Sequence, residues 1–296
     1  MKYTVRHVTN YRYVAYSSGC HNVVHLTPRE TTHQKLLRWT LDVSPEPEST
    51  STFEDYFGND VTFFSIHQSH QQLKITATSQ VIVDPVWIDI EKSPPWEEVR
   101  KSVRAHDSEP SLDAFQYLWD SPFIKANSTL GGYARVSFPP GRPLLAAVFE
   151  LNRRIHREFK YKPQSTTIAT PLEEVFEKRA GVCQDFAHLM IGCLRSIGLP
   201  ARYVSGYLRT IPPKPDPTKP KAPVLVGADA SHAWLAVYCP GVGWVDFDPT
   251  NDLIPSEMHI TLAWGRDYDD VSPIKGVVIG GGEHQLEVGV EVKPME

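Results

Sequence analysis

Three observations predict an α+β fold for this chain. From Met1 to about Val86 apolar residues recur with period two, the signature of half-buried strands. From Pro143 to Ile197 they recur at helical spacing, and after Pro200 the strand pattern returns. Strands, helices and strands thus come in blocks rather than in alternating βαβ units.

Residues 1–86 read as a small antiparallel β-sandwich. Tyr3, Val5, His7 and Thr9 alternate with an opposite face, Leu41 and Val43 close a second run, and Val61 to Ile66 and Leu73 to Val83 add two more. Phe57-Gly58-Asn59-Asp60 has turn chemistry. Residues 87–141 form a connector in which prolines and tryptophans mix with short helical patterns at Trp96 to Val103 and Leu112 to Trp119. Turns are expected at Gly131-Gly132-Tyr133 and Pro139-Pro140-Gly141.

Residues 142–270 hold the helix-then-strand core. Pro143 opens a helix whose stripe is Leu144, Val148, Leu151, Ile155 and Phe159. A short helix follows, with Thr170 as N-cap, Pro171 next, Glu173 completing a capping box and Gly181 as the stop. Cys183 then starts a helix that buries Phe186, Met190, Cys193, Leu194 and Ile197 and closes at Gly198-Leu199-Pro200. A strand from Ala201 to Ile211 carries Arg202, Val204, Gly206 and Leu208 on one face. The stretch from Pro212 to Pro223 contains six prolines and reads as an exposed, stiff loop. Ser231 to Cys239 and Trp244 to Asp248 form a hairpin across Pro240-Gly241-Val242-Gly243. Residues 271–296 read as a C-terminal hairpin around Gly280-Gly281-Gly282.

With 296 residues, 41% hydrophobic and 22% charged, a packed chain of more than one domain is expected. A net charge of -5 and a pI near 6.2 supply no basic footprint, so neither nucleic acid nor an acidic membrane is an expected partner. The start lacks the pattern of a secretory signal and no run of 18 apolar residues occurs, which predicts a cytoplasmic protein. Cys20, Cys183, Cys193 and Cys239 are far apart and form no CxxC, which argues against disulfide or zinc frameworks. His7, His21, His25, His33, His67 and His70 are scattered without a ligand motif. No metal and no cofactor is expected.

The chemistry concentrates at Cys183. A thiol in the first turn of a helix lies where unpaired backbone N–H groups stabilise negative charge, whereas one in a helix interior is packing, the reading for Cys193. Acyl transfer through a thiol also needs a base, a group that orients the base, and donors for the oxyanion. His232 and Asp248 supply the first two, with Asp246 on the same strand face as a rival orienter. Opposed residues of an antiparallel pair share a face, so Asp248 reaches His232 only when it lies across from an even-numbered residue such as Ala236 or Trp234. A three-residue loop or a bulge at Gly241 to Gly243 meets this condition, and a plain four-residue loop does not. The backbone N–H of Cys183 is one oxyanion donor; Gln184 and Tyr161 are candidates for a second. His188 lies about 140° round the helix from Cys183 and points elsewhere, and Asp185 complements the helix dipole.

At these blocks the chain resembles the transglutaminase-like superfamily of papain-type cysteine enzymes. GVCQDFA looks like its nucleophile block, SHAWLAVY its histidine block and GWVDFDPTND its acid block, while YRYVAYSSGCHNVVHLTPR and DYFGNDVTFFSI look like the β-rich N-terminal domain of bacterial members. The resemblance implies a papain/transglutaminase-like core of helices packed on an antiparallel sheet, with Cys183 as nucleophile, His232 as base and Asp248 rather than Asp246 as the orienting acid. It implies a thiol protease or amidohydrolase acting on a peptide or protein amide through an acyl-thioester, with amine acyl transfer and non-catalytic peptide binding as alternatives. Asp267, Asp269 and Asp270 form a short surface run rather than a calcium loop.

Overall fold

A computed structural model describes residues 1–106, 108–209, 225–227 and 230–295. The proline-rich stretch between Pro212 and Pro223 lies outside the described residues.

The N-terminal part is built on one long strand, β1 (Lys2–Val24), followed by β2 (Gln34–Ser44), β3 (Ser49–Glu54), β4 (Asp60–Ile66) and β5 (His70–Val83). All pairings are antiparallel, in the order β2-β5-β1-β4-β3. Residues 2–12 of β1 pair with β5, and residues 20–24 pair with β4. The register breaks between Arg12 and Ser17, so β1 serves two half-sheets, one on each side of the break. Its buried face alternates as the period-two pattern requires, with Tyr3, Val5 and His7 inward.

The connector contributes α1 (Trp96–Ala105), α2 (Glu109–Phe115) and α3 (Ser128–Arg135), and α4 (Leu144–Glu158) follows Pro143 as expected. A two-residue strand β6 (Lys160–Tyr161) precedes α5 (Leu172–Lys178). The start and end of α5 differ from the sequence reading. Its N-cap is Pro171, without a side-chain cap, because the Thr170 hydroxyl accepts instead from the Thr167 N–H at 2.9 Å. It ends at Arg179 in the left-handed region (φ 50°), not at Gly181. Arg179 is held there by stacking its guanidinium over Phe176 at 4.2 Å.

Gly181 belongs instead to β7 (Ala180–Gly181), which leads into α6 (Cys183–Ser196). From Asp185 to Arg195 every residue of α6 is buried, so it is a central helix enclosed on all sides rather than one with a single apolar stripe. Its C-terminus closes with Leu199 N–H donating to the Leu194 carbonyl at 3.0 Å and Gly198 at φ 81°. Buried Arg195 pins this end by donating to the carbonyls of Ala201, Trp119 and Arg266.

The core sheet comprises β8 (Ala201–Leu208), β9 (His232–Cys239), β10 (Gly243–Phe247) and β11 (His259–Gly265), ordered β10-β9-β8-β11 and antiparallel throughout. Helix α6 packs on β8 and β9, and Phe186, Met190, Tyr203, Leu235 and Phe247 share the main core. The other face carries a separate cluster of Val204, Trp234 and Ala236 against Trp244 and Trp264.

The last two strands correct the expected C-terminal hairpin. β12 (Ile274–Gly280) and β13 (His284–Pro294) each pair with β1, over residues 17–24 and 3–13 respectively, and no pairing joins them to one another among the described residues. Gly280, Gly281 and Gly282 all have positive φ, with Gly280 beside Tyr16 and Ser17 and Gly281 beside Tyr13. They turn the chain at the same corner where β1 breaks. Hence the chain begins and ends in one sheet.

Candidate active site

Cys183 is the first residue of α6 and is half-buried. Its approach is set by two neighbours. The Val182 N–H, one of the unpaired donors of the helix start, is taken by the Asp185 carboxylate at 2.8 Å, which also accepts from the Thr166 hydroxyl at 2.6 Å. Burial raises the Asp185 carboxyl above its ordinary range against the pull of those two bonds. A Cβ on Gly181 would come within 2.7 Å of the same carboxylate, so the glycine serves close approach rather than helix termination. Parallel pairing of Tyr161 with Gly181 brings Tyr161 beside the helix entrance, and Gln184, the second residue of α6, is half-buried in the first turn.

The β9–β10 turn decides whether the acid meets the imidazole. Cys239 pairs with Gly243, leaving the three-residue loop Pro240-Gly241-Val242, closed by Val242 N–H to the Cys239 carbonyl at 3.1 Å. The ladder then runs to Phe247 opposite Leu235, so Asp248 falls level with Trp234, on the face of His232. That is the even-numbered register required. The His232 Nε2–H donates to Asp248 Oδ2 at 2.9 Å, with both side chains wholly buried. Asp246 is occupied elsewhere, accepting from the Trp234 indole at 3.1 Å.

Asp248 is enclosed by donors. Its Oδ2 also accepts from His259 Nε2 at 3.1 Å and from the Asn251 amide at 2.8 Å, and its Oδ1 accepts from the backbone N–H of Thr250 at 2.9 Å and Asn251 at 3.2 Å. Burial alone would favour the neutral acid, but His232, with its charge and hydrogen bond, and then His259 hold the carboxyl far below the usual range. For His232 burial again opposes charge. The Asp248 carboxylate and then Cys183 outweigh it and raise the ring to about 10. The second ring nitrogen, Nδ1, has no oxygen or nitrogen partner and lies on the Cys183 side. It is flanked by Gly227 (φ 87°), where a Cβ would stand 2.9 Å from Nδ1 and 3.6 Å from the Tyr161 hydroxyl. Asn251 secures that segment by accepting from Val226 N–H at 2.8 Å while donating to Asp248.

His259, Asn251 and Gly227 were not singled out from the sequence. Asn251 lies inside the acid block, three residues after Asp248, which is a usable hint. His259 is a lone histidine on a strand that periodicity did not mark, and only strand pairing brings it to Asp248. Donor atoms of His232, Asp248 and His259 lie within 4.8 Å of one another, close enough to share a divalent cation. Both rings, however, point an N–H at one acceptor-only carboxylate, which is a hydrogen-bonded arrangement. His188 does point elsewhere: its Nε2 accepts from Tyr268 N–H at 3.1 Å and the ring stacks on Phe123. The acidic run is not all at the surface, since Asp267 is fully buried and accepts from Phe123 N–H at 2.8 Å.

Residues 136–249 match the model of the transglutaminase-like superfamily, and residues 3–82 match the bacterial transglutaminase-like N-terminal region. An uncharacterized protein of Mycobacterium tuberculosis is 37% identical over all of this chain and 93% of its own length. One of Mycobacterium leprae is 31% identical over 97% of each. A protein-glutamine gamma-glutamyltransferase of Pseudomonas aeruginosa is 33% identical over 39% of this chain, which is 17% of that protein. The fold is shared with a crystal structure from Cytophaga hutchinsonii described as a candidate cysteine protease, with TM-score 0.75, 22% identity, and coverage of 100% of this chain and 91% of that one.

Proposed function

The chain belongs to the transglutaminase-like superfamily, and from that premise we propose that it is a cysteine-dependent enzyme acting on an amide or peptide bond. The observation that carries this reading is the position of His232 between two partners. Asp248 holds one ring nitrogen at 2.9 Å, and Cys183 acts on the ring from the start of α6.

In this reading the imidazolium and the thiolate form an ion pair at the head of α6. The thiolate adds to the carbonyl carbon of the substrate amide, and the backbone N–H of Cys183 receives the developing oxyanion, with Tyr161 or Gln184 as second donor. His232 passes its proton to the leaving nitrogen as the C–N bond breaks, leaving an acyl-thioester on Cys183. Water, giving a proton to His232 as its oxygen adds to the acyl carbon, then releases the acid and restores the thiolate–imidazolium pair. Asp248 stays ionised and fixes the ring's orientation and charge throughout.

A primary amine in place of water would give transamidation, a reading favoured by the similarity to the gamma-glutamyltransferase. The test is mass spectrometry after incubation with a glutamine-containing peptide library, with and without a primary amine. An acyl adduct on Cys183, lost in Cys183→Ala, is expected. Amine in the product means transfer, and free acid alone means hydrolysis. A folded protein whose Cys183 never forms an adduct and ignores iodoacetamide would instead be a peptide-binding module on this fold.

A further inference from the structure

At the end of α6 opposite Cys183, about 20 Å along the helix, the surface holds an open groove of about 970 Å³. Arg195, in the last turn of α6, ties two of its lining residues to this end by donating to the carbonyls of Trp119 and Arg266. No residue given a role in the proposed chemistry lines it.

Its walls come from three segments. Helix α2 and the short helical turn that continues it (Gln116–Leu118) bury Ser111, Ala114 and Tyr117, and the opposite face carries Glu109, Leu112, Asp113 and Gln116 at helical spacing into the groove. The β3–β4 turn adds Tyr56 and Phe57, and the stretch after β11 adds Arg266 and Asp270. Leu112 is 57%, Trp119 60% and Tyr56 81% exposed, and half-buried Phe115 and Phe57 meet the last two edge to face. Large apolar side chains from separate segments, left in water at one place, mark an interaction surface. The frame beneath them is fixed. Asp55 accepts from the N–H groups of Phe57 and Asn59 at 2.8 Å, and the Phe57 carbonyl accepts from Arg29 and from the Trp264 indole. A partner therefore meets a surface that is already shaped.

Charge selects that partner. Arg266 is the one cation among the lining residues, and its guanidinium is committed to Asp270 through two bonds, at 2.9 and 2.8 Å. Glu109, Asp113 and Asp120 are exposed and form no ion pair among the described residues. Asp113 and Asp120 each use one oxygen, accepting from the Gln116 amide and the Ala126 N–H respectively. Three carboxylates thus stand uncompensated beside exposed aromatic rings, which suits cations carried on apolar stems.

We propose that this groove docks a basic peptide segment of a protein partner. Its lysine or arginine side chains pair with Glu109, Asp113 and Asp120, and its apolar side chains cover Trp119, Leu112 and Tyr56. Exposed ion pairs are individually weak, so the apolar contacts are required as well. An acidic segment meets like charge at all three carboxylates.

The test is isothermal titration calorimetry on the full chain with acetyl-KLKFK-amide as the probe. Acetyl-ELEFE-amide reverses the charge, and acetyl-KGKGK-amide keeps the charge but removes the apolar side chains. Saturable binding of the probe, about tenfold weaker binding of each control, and about fivefold weaker binding of the probe to Trp119→Ala and to Leu112→Lys are expected. Both side chains are exposed, and circular dichroism checks that each variant keeps its fold. No saturable binding, equal binding of either control, or undiminished binding to either folded variant overturns the proposal. The measurement reads binding rather than turnover, so it stands or falls separately from the proposed chemistry.

Discussion

Asp248→Asn removes one negative charge while keeping the side chain's shape, and its effect can be worked from the hydrogen bonds. Five donors converge on this carboxylate, two from imidazoles, two from backbone and one from Asn251. The carboxylate is the largest influence raising His232 from 6.5 to about 10 against burial. Without it, burial is opposed by Cys183 alone and the ring falls back toward its ordinary 6.5, where about a quarter of the rings stay charged at pH 7. Alkylation of Cys183 by iodoacetamide at pH 7 should therefore slow by at least about fourfold in Asp248→Asn, because most of the imidazolium that pairs with the thiolate is lost. The same change leaves buried donors facing an amide nitrogen, which costs about 1–3 kcal/mol of stability per unmatched group. Circular dichroism and thermal unfolding separate the two effects. A well-folded Asp248→Asn that alkylates at the parent's rate at pH 7 would refute the view that Asp248 maintains the charged ring.

Gly227→Ala should fold but lose most of its Cys183 reactivity, because its Cβ would stand 2.9 Å from His232 Nδ1 and its φ of 87° disfavours a side chain; alkylation rate and unfolding midpoint together check this. Asn251→Ala should lower reactivity with a smaller effect on folding, about 1 kcal/mol, since it releases Val226 and one bond to Asp248; unchanged alkylation would contradict it. His7 and His188 are buried and pushed down to about 4 and about 3, so they stay neutral in the fold while the unfolded chain takes protons below pH 6.5. Their contribution is present above pH 6.5 and is lost as pH falls below it, by roughly 2 kcal/mol each at pH 5. His232, raised instead, is charged in both states below 6.5 and adds no slope there; its contribution is lost as pH rises from 6.5 through about 10. Denaturant titrations from pH 4 to 7 should show His188→Gln, which keeps an acceptor for Tyr268 N–H, losing about one proton of this slope, and an unaltered slope would count against a neutral His188.

The local part of the site was legible in the sequence for physical reasons that act over a few residues. Cys183 follows a loop and begins an apolar stretch, so its place in a first helical turn needed only periodicity and end signals. The parity of a short loop is likewise a local property: only a three-residue loop or a bulge brings Asp248 to the face of His232, and Cys239 pairs with Gly243 across a three-residue loop. What periodicity reports, however, is which face a residue takes, not which strand lies beside it. His259 reaches Asp248 because β11 pairs with the far edge of β8, and β12 and β13 leave each other to pair with a strand more than 250 residues earlier. Burial of α6 on every side depends in the same way on the elements that surround it. The amino-acid sequence alone determined most of the elements, the helix-borne thiol and the loop condition under which His232 meets Asp248. The tertiary structure decided the donors gathered round that acid and the groove at the far end of α6, because both arise from surfaces that meet only when distant segments pack.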